Sequence, residues 1–177
     1  MIPALLLRVH EALEAAGIPH ALIGAAALAV HGVSRSTFDQ DLLVTGTRVL
    51  DPRIWAPLTA GATIDIRRGD HDDPLAAVVR VSADGERDVD VIVGRDDWQG
   101  EIIEEALADD LRVGAIPVAS PTALVLLKLY AGGPQDRWDI EQLRAIGGPA
   151  LDAHVASRVV RLPAAARDAW TSITSGQ

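Results

Sequence analysis

Residues Ala21 to Thr45 read ALIGAAALAVHGVSRSTFDQDLLVT, and the reading of this stretch decides the fold. A short apolar run, Ala21-Leu22-Ile23, enters Gly24 and continues as an Ala-rich segment with helix-forming composition. A polar loop follows, carrying His31, Gly32, Ser34, Arg35, Ser36 and Thr37, and it ends in Asp39 and Asp41 ahead of Leu42-Leu43-Val44. If the last run begins a strand, side chains alternate with period two, so Asp39 and Asp41 point the same way. Adjacent carboxylates repel unless a cation or proton lies between them. Mg²⁺ takes oxygen ligands, commonly one or two carboxylates together with substrate phosphates. An Asp-x-Asp also suits a solvated turn, and its surroundings have to separate the two readings.

Those surroundings favour chemistry. The run Arg87-Asp88-Val89-Asp90-Val91-Ile92-Val93 places further carboxylates at the head of another apolar strand. A third carboxylate on a neighbouring strand is what a two-metal phosphoryl-transfer site requires. Asp88 and Asp90 share a face, and Asp90, abutting the apolar part of the strand, is favoured over Asp88. The connector Ala83-Asp84-Gly85-Glu86, between the strand-like runs Ala77 to Ser82 and Arg87 to Val93, predicts a hairpin.

The order of these features resembles the polymerase-β-like nucleotidyltransferase superfamily: Gly turn, Ala-rich helix, His-Gly-x-x-Arg-x-Thr-x-Asp-x-Asp, then a later strand bearing Asp. Within it the chain is most similar to small bacterial proteins related to AbiEii-type toxin nucleotidyltransferases. Ser120-Pro121-Thr122-Ala123-Leu124 through Lys128, then Gln135-Asp136-Arg137-Trp138-Asp139-Ile140, resemble the lysine-bearing helix and the following helix of that group. The resemblance runs from Ala21 to Leu143. It implies an α/β (α+β) nucleotidyltransferase fold, a small mixed sheet flanked by helices, with a core over 1–118 and a helical C-terminal part over 119–177 packed on the core as a single compact unit.

The same resemblance implies transfer of a nucleoside monophosphate from an NTP to a hydroxyl acceptor, with Mg²⁺ as cofactor in a two-metal site. Asp39, Asp41 and Asp90 would be the catalytic and metal-binding residues. Gly24 and Ala25 would cradle phosphates through backbone N–H groups, and Arg35, Thr37 and Lys128 would contact the triphosphate. The acceptor would be an RNA or tRNA end, a protein or a small molecule. The alternative is a non-catalytic partner module of a toxin–antitoxin type system, bound to an antitoxin-like protein. Two positions depart from the related pattern: Ala25 stands where Ser or Gly is common, and Gly133 where Arg is common.

Taken singly, several of these residues keep a plainer role. Arg35 also suits pairing with a nearby carboxylate, and His31 suits a helix end. Lys128, on the otherwise apolar helix Pro121 to Tyr130, either snorkels to the surface or serves a site. Asp136 and Asp139 lie one turn apart, within reach of Arg137 or Lys128. The loop Arg68 to Pro74 holds His71 among acids but has no metal-binding register, and it reads as a solvated turn.

Composition narrows the remaining classes. Of 177 residues, 49% are apolar, enough for a packed core, and 3% are aromatic, so the core is aliphatic. That poverty in rings argues against base recognition by stacked aromatics. A net charge of −9 argues against a broad surface for long nucleic acid. The absence of cysteine excludes thiol catalysis and cysteine-ligated metal. No stretch approaches the ~20 apolar residues of a membrane span, and the expected location is the cytoplasm.

Periodicity predicts the remaining elements. Pro3 to Ala16 is a helix with Leu5, Leu6, Val9 and Leu13 inward, stopped at Gly17. Arg48 to Ala60 is an irregular helix interrupted by Pro52 and Pro57. Thr63 to Arg67 and Val113 to Val118 are strands. Arg95 to Ala108 is a helix with Trp98, Ile102, Ile103 and Leu107 as its packing stripe. Helices also cover Gln135 to Ile146, Ala150 to Arg161 and Pro163 to Thr174.

Overall fold

The computed structural model describes residues 2–34, 40–70 and 73–176. They divide into two compact units, one containing the sheet and ending at Ala119, the other containing the helices from Ser120 onward together with the stretch that begins at Ala27.

In the first unit, helix α1 (Ala4–Ala15) leads to strand β1 (His20–Ile23). Leu5, Val9 and Leu13 of α1 are fully buried, as their spacing predicts, and Gly17 turns the chain at φ 61°. Strand β2 (Gln40–Thr45), a region of short 3-10 turns, and strands β3 (Thr63–Arg68), β4 (Ala77–Ser82) and β5 (Val89–Gly94) follow. The five strands form a mixed sheet in the order β1-β2-β5-β4-β3. Only β2 and β5 run parallel; the other neighbours are antiparallel. Leu42, Val44, Val89, Val91, Val93, Val79 and Val81 are almost completely buried, and alternation sets them on one face. The opposite face carries Asp41, Asp90, Arg80 and Asp65, which meet in register across β2, β5, β4 and β3. This charged row is how the sheet positions the candidate site.

Helix α3 (Asp97–Ala108) packs against β1 and β2 through Trp98, Ile102, Ile103 and Ala106. Leu107, expected in that stripe, is 42% exposed, because Ala106 rather than Leu107 continues the buried face. The single strand expected over Val113 to Val118 is a small hairpin of β6 (Arg112–Val113) and β7 (Ile116–Pro117), folded at Gly114 with φ 62°. The expected irregular helix is made of 3-10 segments, Thr47–Leu50 and Pro52–Leu58. Trp55 within them is fully buried, and its indole N–H donates to the Val49 carbonyl.

Helix α2 (Gly24–Val30) continues from β1. In the second unit, α4 (Pro121–Ala131) starts as the sequence predicts: Ser120 Oγ accepts from the Ala123 N–H at 3.2 Å, and Pro121 occupies the first turn. Helix α5 (Pro134–Arg158) takes in two of the expected helices, joined across a kink at Gly148 (φ 58°, ψ −156°). Helix α6 (Ala164–Ser175) follows a 3-10 turn. Among the described residues, no helix is long and apolar enough to cross a membrane.

Candidate active site

The carboxylate row begins where β1 turns into α2. Ile23 faces Asp41 across β1 and β2, so Gly24 lies directly beside the aspartate. A Cβ built on Gly24 would stand 1.9 Å from Asp41 Oδ2, and Gly24 has φ 63°. Both facts require glycine: the backbone adopts the left-handed region, and the carboxylate occupies the space a side chain would need. Ala25, the next residue, is buried.

Asp41 stands opposite Asp90 on the parallel pair β2–β5. Neighbouring strands lie about 4.8 Å apart, so the two side chains rise from adjacent positions on one face. Asp90 is nine-tenths buried. Its charge is matched from β4 by Arg80, whose Nε donates to Oδ1 at 2.8 Å and whose Nη2 donates to Oδ2 at 2.6 Å. That is a fork of two parallel charge-assisted hydrogen bonds. Arg80 Nη1 also lies 3.9 Å from Asp88 Oδ2. Asp88 itself precedes β5, and its carbonyl accepts from the Gln40 N–H at 3.0 Å.

The structure therefore brings together Gly24, Asp41 and Asp90, three of the residues singled out from the sequence. Asp39, Arg35 and Thr37, and with them the expected shared face of Asp39 and Asp41, lie outside the described residues. So does His71 of the acidic loop. Lys128 belongs to the helical unit and has two counter-ions there, Asp136 Oδ1 at 2.6 Å and Asp139 Oδ2 at 2.7 Å, the latter on a fully buried residue. Arg137 pairs instead with Glu141 one turn on. Gly133 caps α5: its N–H donates to Asp136 Oδ2 at 2.8 Å, and a Cβ there would stand 2.9 Å from the same oxygen.

Arg80 is the residue of this row that the sequence signals least. Val78-Val79-Arg80-Val81 shows a cation within an apolar strand, but its partner depends on sheet register.

A second polar cluster joins α1 to β1. His10 Nδ1 lies 2.7 Å from His20 Nε2, His20 Nδ1 donates to the Ile18 carbonyl at 2.9 Å, and Glu14 Oε1 is 3.9 Å from His20 Nδ1. Because the carbonyl can only accept, His20 carries its proton on Nδ1 and Nε2 receives one from His10. The ring centroids are 5.0 Å apart, the separation of imidazoles meeting head-on across one hydrogen bond. Their lone pairs do not converge on a common point as metal ligands must. Burial pushes His20 below its ordinary value.

A groove of about 550 Å³ opens at the other end of β2 and β5, lined by Thr45, Gly94, Asp96, Asp97, Glu101 and Glu104 among others. It is acidic and separate from the Asp41–Asp90 end of the strands.

No protein-family model matches the chain, and no curated protein matches it in sequence. Solved structures do. The solution structure of the antibiotic-resistance factor ANT(2'')-Ia is similar with a TM-score of 0.59 at 14% identity, covering 97% of this chain and 94% of that one. The crystal structure of ANT(2")-Ia in complex with adenylyl-2"-tobramycin is similar with a TM-score of 0.55 at 16% identity, covering 86% and 94%. The mixed sheet with its helices is the architecture these structures share with the chain, which therefore has the nucleotidyltransferase fold.

Proposed function

We propose that the protein is a Mg²⁺-dependent nucleotidyltransferase that moves a nucleoside monophosphate from an NTP to a hydroxyl acceptor. The observation that carries this reading is the register of Asp41 with Asp90 on parallel strands, with Gly24 kept free of a side chain over the Asp41 carboxylate. An all-oxygen donor set of this kind fits Mg²⁺ and not a soft metal.

In this reading Asp39, Asp41 and Asp90 hold the metal, which when bound neutralises charge developing on the phosphates. Gly24 and Ala25 offer their backbone N–H groups to phosphate oxygens, and Arg35, Thr37 and Lys128 contact the triphosphate. These five assignments rest on motif order. The acceptor oxygen forms a bond to the α-phosphorus, the bond to the pyrophosphate oxygen breaks, and pyrophosphate leaves. The acceptor proton passes to Asp90. A carboxylate has about four lone-pair sites and the Arg80 fork uses two of them, so Asp90 can serve both the metal and the proton only as the fork loosens. Catalysis is then positioning and charge compensation.

A net charge of −9 favours an acceptor that is not itself a polyanion. A small hydroxylated molecule, as in the adenylyl-tobramycin held by ANT(2")-Ia, fits this better than a long RNA. A tRNA end or a protein hydroxyl would need the same chemistry. The second reading is a non-catalytic partner module, of toxin–antitoxin type. It is favoured by one observation, the occupation of both Asp90 oxygens by Arg80.

Pyrophosphate release separates the two. With Mg²⁺, each NTP and a panel of aminoglycosides, RNA ends and protein acceptors, release is expected for at least one pairing. Asp41→Asn and Asp90→Asn should each lower it by about 100-fold or more. An NTP that binds tightly yet gives no release with any acceptor would favour the partner module.

A further inference from the structure

The Arg80 fork raises a question of charge. Arg80 stands in register with Asp90 on one side and Asp65 on the other. Asp65 is committed to Arg67, 2.7 Å away. On the β5 side Arg80 has two carboxylates within reach, Asp90 through the fork and Asp88 at 3.9 Å. Asp90's side chain is the more enclosed, 12% exposed, while those of Arg80 and Asp88 are 38% and 32% exposed. Arg80 is thus the more exposed partner of Asp90, and its guanidinium already borders a second anion. A planar fork seated on both oxygens of Asp90 competes with any other cation for the same lone pairs. A dication placed beside Asp41 and Asp90 would also repel the guanidinium.

Resting on the nucleotidyltransferase reading, we propose that Arg80 is a positioning residue that holds Asp90 in place of a divalent cation and passes to Asp88 when the cation binds. The Asp90-to-Asp88 exchange of Arg80 then sets how tightly the site takes its metal. Asp90 never stands as an uncompensated buried charge, which would be costly. Asp88, one position outside β5 and exposed enough to rotate, supplies the second seat.

The test uses the full chain with Mn²⁺ as the probe, free Mn²⁺ being read by its paramagnetic resonance signal, with the fold checked by circular dichroism. Arg80→Met removes the competitor and should bind Mn²⁺ about tenfold more tightly than wild type, the size of a 1.4 kcal/mol effect. Asp88→Asn removes the second seat and should bind severalfold more weakly. In the Arg80→Met background Asp88→Asn should then have no further effect, whereas a simple loss of negative charge would act in both backgrounds.

If Arg80→Met does not fold, Arg80→Lys keeps the charge but loses the fork, and it should bind Mn²⁺ severalfold more tightly. Equal or weaker binding by whichever variant is folded overturns the inference, as does an Asp88→Asn effect that persists without Arg80. If Asp41→Asn abolishes Mn²⁺ binding while the Arg80 variant matches wild type, only this inference falls. If neither wild type nor the Arg80 variant binds Mn²⁺, the nucleotidyltransferase reading falls with it.

Discussion

A methyl group at Gly24 would collide with Asp41 Oδ2 at 1.9 Å and would have to adopt φ 63°. The left-handed backbone is a penalty that no rotamer change relieves, and the Asp41 carboxylate would have to turn away from the added Cβ. Gly24→Ala is expected to lower stability by about 1–3 kcal/mol. Urea denaturation checks this, and loss of less than a few tenths would show that the turn relaxes freely. At this scale the sequence was informative about identity and silent about contact. Gly24, Asp41 and Asp90 are legible as a glycine turn and two strand-borne aspartates. That the glycine is needed to make room for a carboxylate is not, because their contact depends on the β1–β2 register. Arg80 is the sharper case. It reads as a cation in an apolar strand, and only the pairing of β4 with β5 seats it on Asp90 rather than on Asp84 or Glu86 in the adjoining turn.

Between elements, two polar links carry consequences. Lys128 of α4 holds Asp136 and Asp139 of α5, and Asp139 is fully buried. Lys128→Met would take this cation from the fully buried Asp139 and the half-buried Asp136 and is expected to cost about 3 kcal/mol or more. Chemical denaturation reads this directly, and an unchanged midpoint would mean that the carboxylates protonate or reach solvent. The His10–His20 link joins α1 to β1. Burial lowers the folded value of His20 below the ordinary 6.5. Between those two values the unfolded chain binds the extra proton and the folded chain does not. The contribution of His20 is therefore complete above pH 6.5 and is lost as pH falls from there towards the folded value. The stability lost between about pH 7.5 and about pH 5.5 should be smaller in His20→Gln than in wild type. Equal losses would assign the pH response to other groups.

Elements with a local signature were legible. Asp84-Gly85 gives the β4–β5 hairpin, with Gly85 at φ 75°, and Ser120-Pro121 gives the start of α4. Those set by packing were not. Leu107 and Ala106 are equally plausible inward positions by spacing, and contact with β1 and β2 selects Ala106. Gly147-Gly148-Pro149 reads as a helix stop. The chain passes it as a kink because a single residue, Gly148, absorbs the change of direction with φ 58°.

At the scale of the whole molecule, the fold was legible through the order of its motifs, which continues from the sheet unit into the helical unit. The similarity to ANT(2'')-Ia likewise extends over 97% of the chain, so it is not confined to either unit. The acceptor of the proposed transfer was not legible, because surfaces that no local motif encodes would choose it. Net charge bears on it only coarsely, disfavouring polyanions. The donor side is the part that the Asp41–Asp90 register argues directly. The most direct measurement is equilibrium binding of each of the four NTPs to the full chain, with Mg²⁺ and with chelator, for wild type and Asp41→Asn. The account predicts that at least one NTP binds only when Mg²⁺ is present, and that Asp41→Asn weakens it by about tenfold or more. Absence of NTP binding, or binding indifferent to both Mg²⁺ and Asp41, would contradict it.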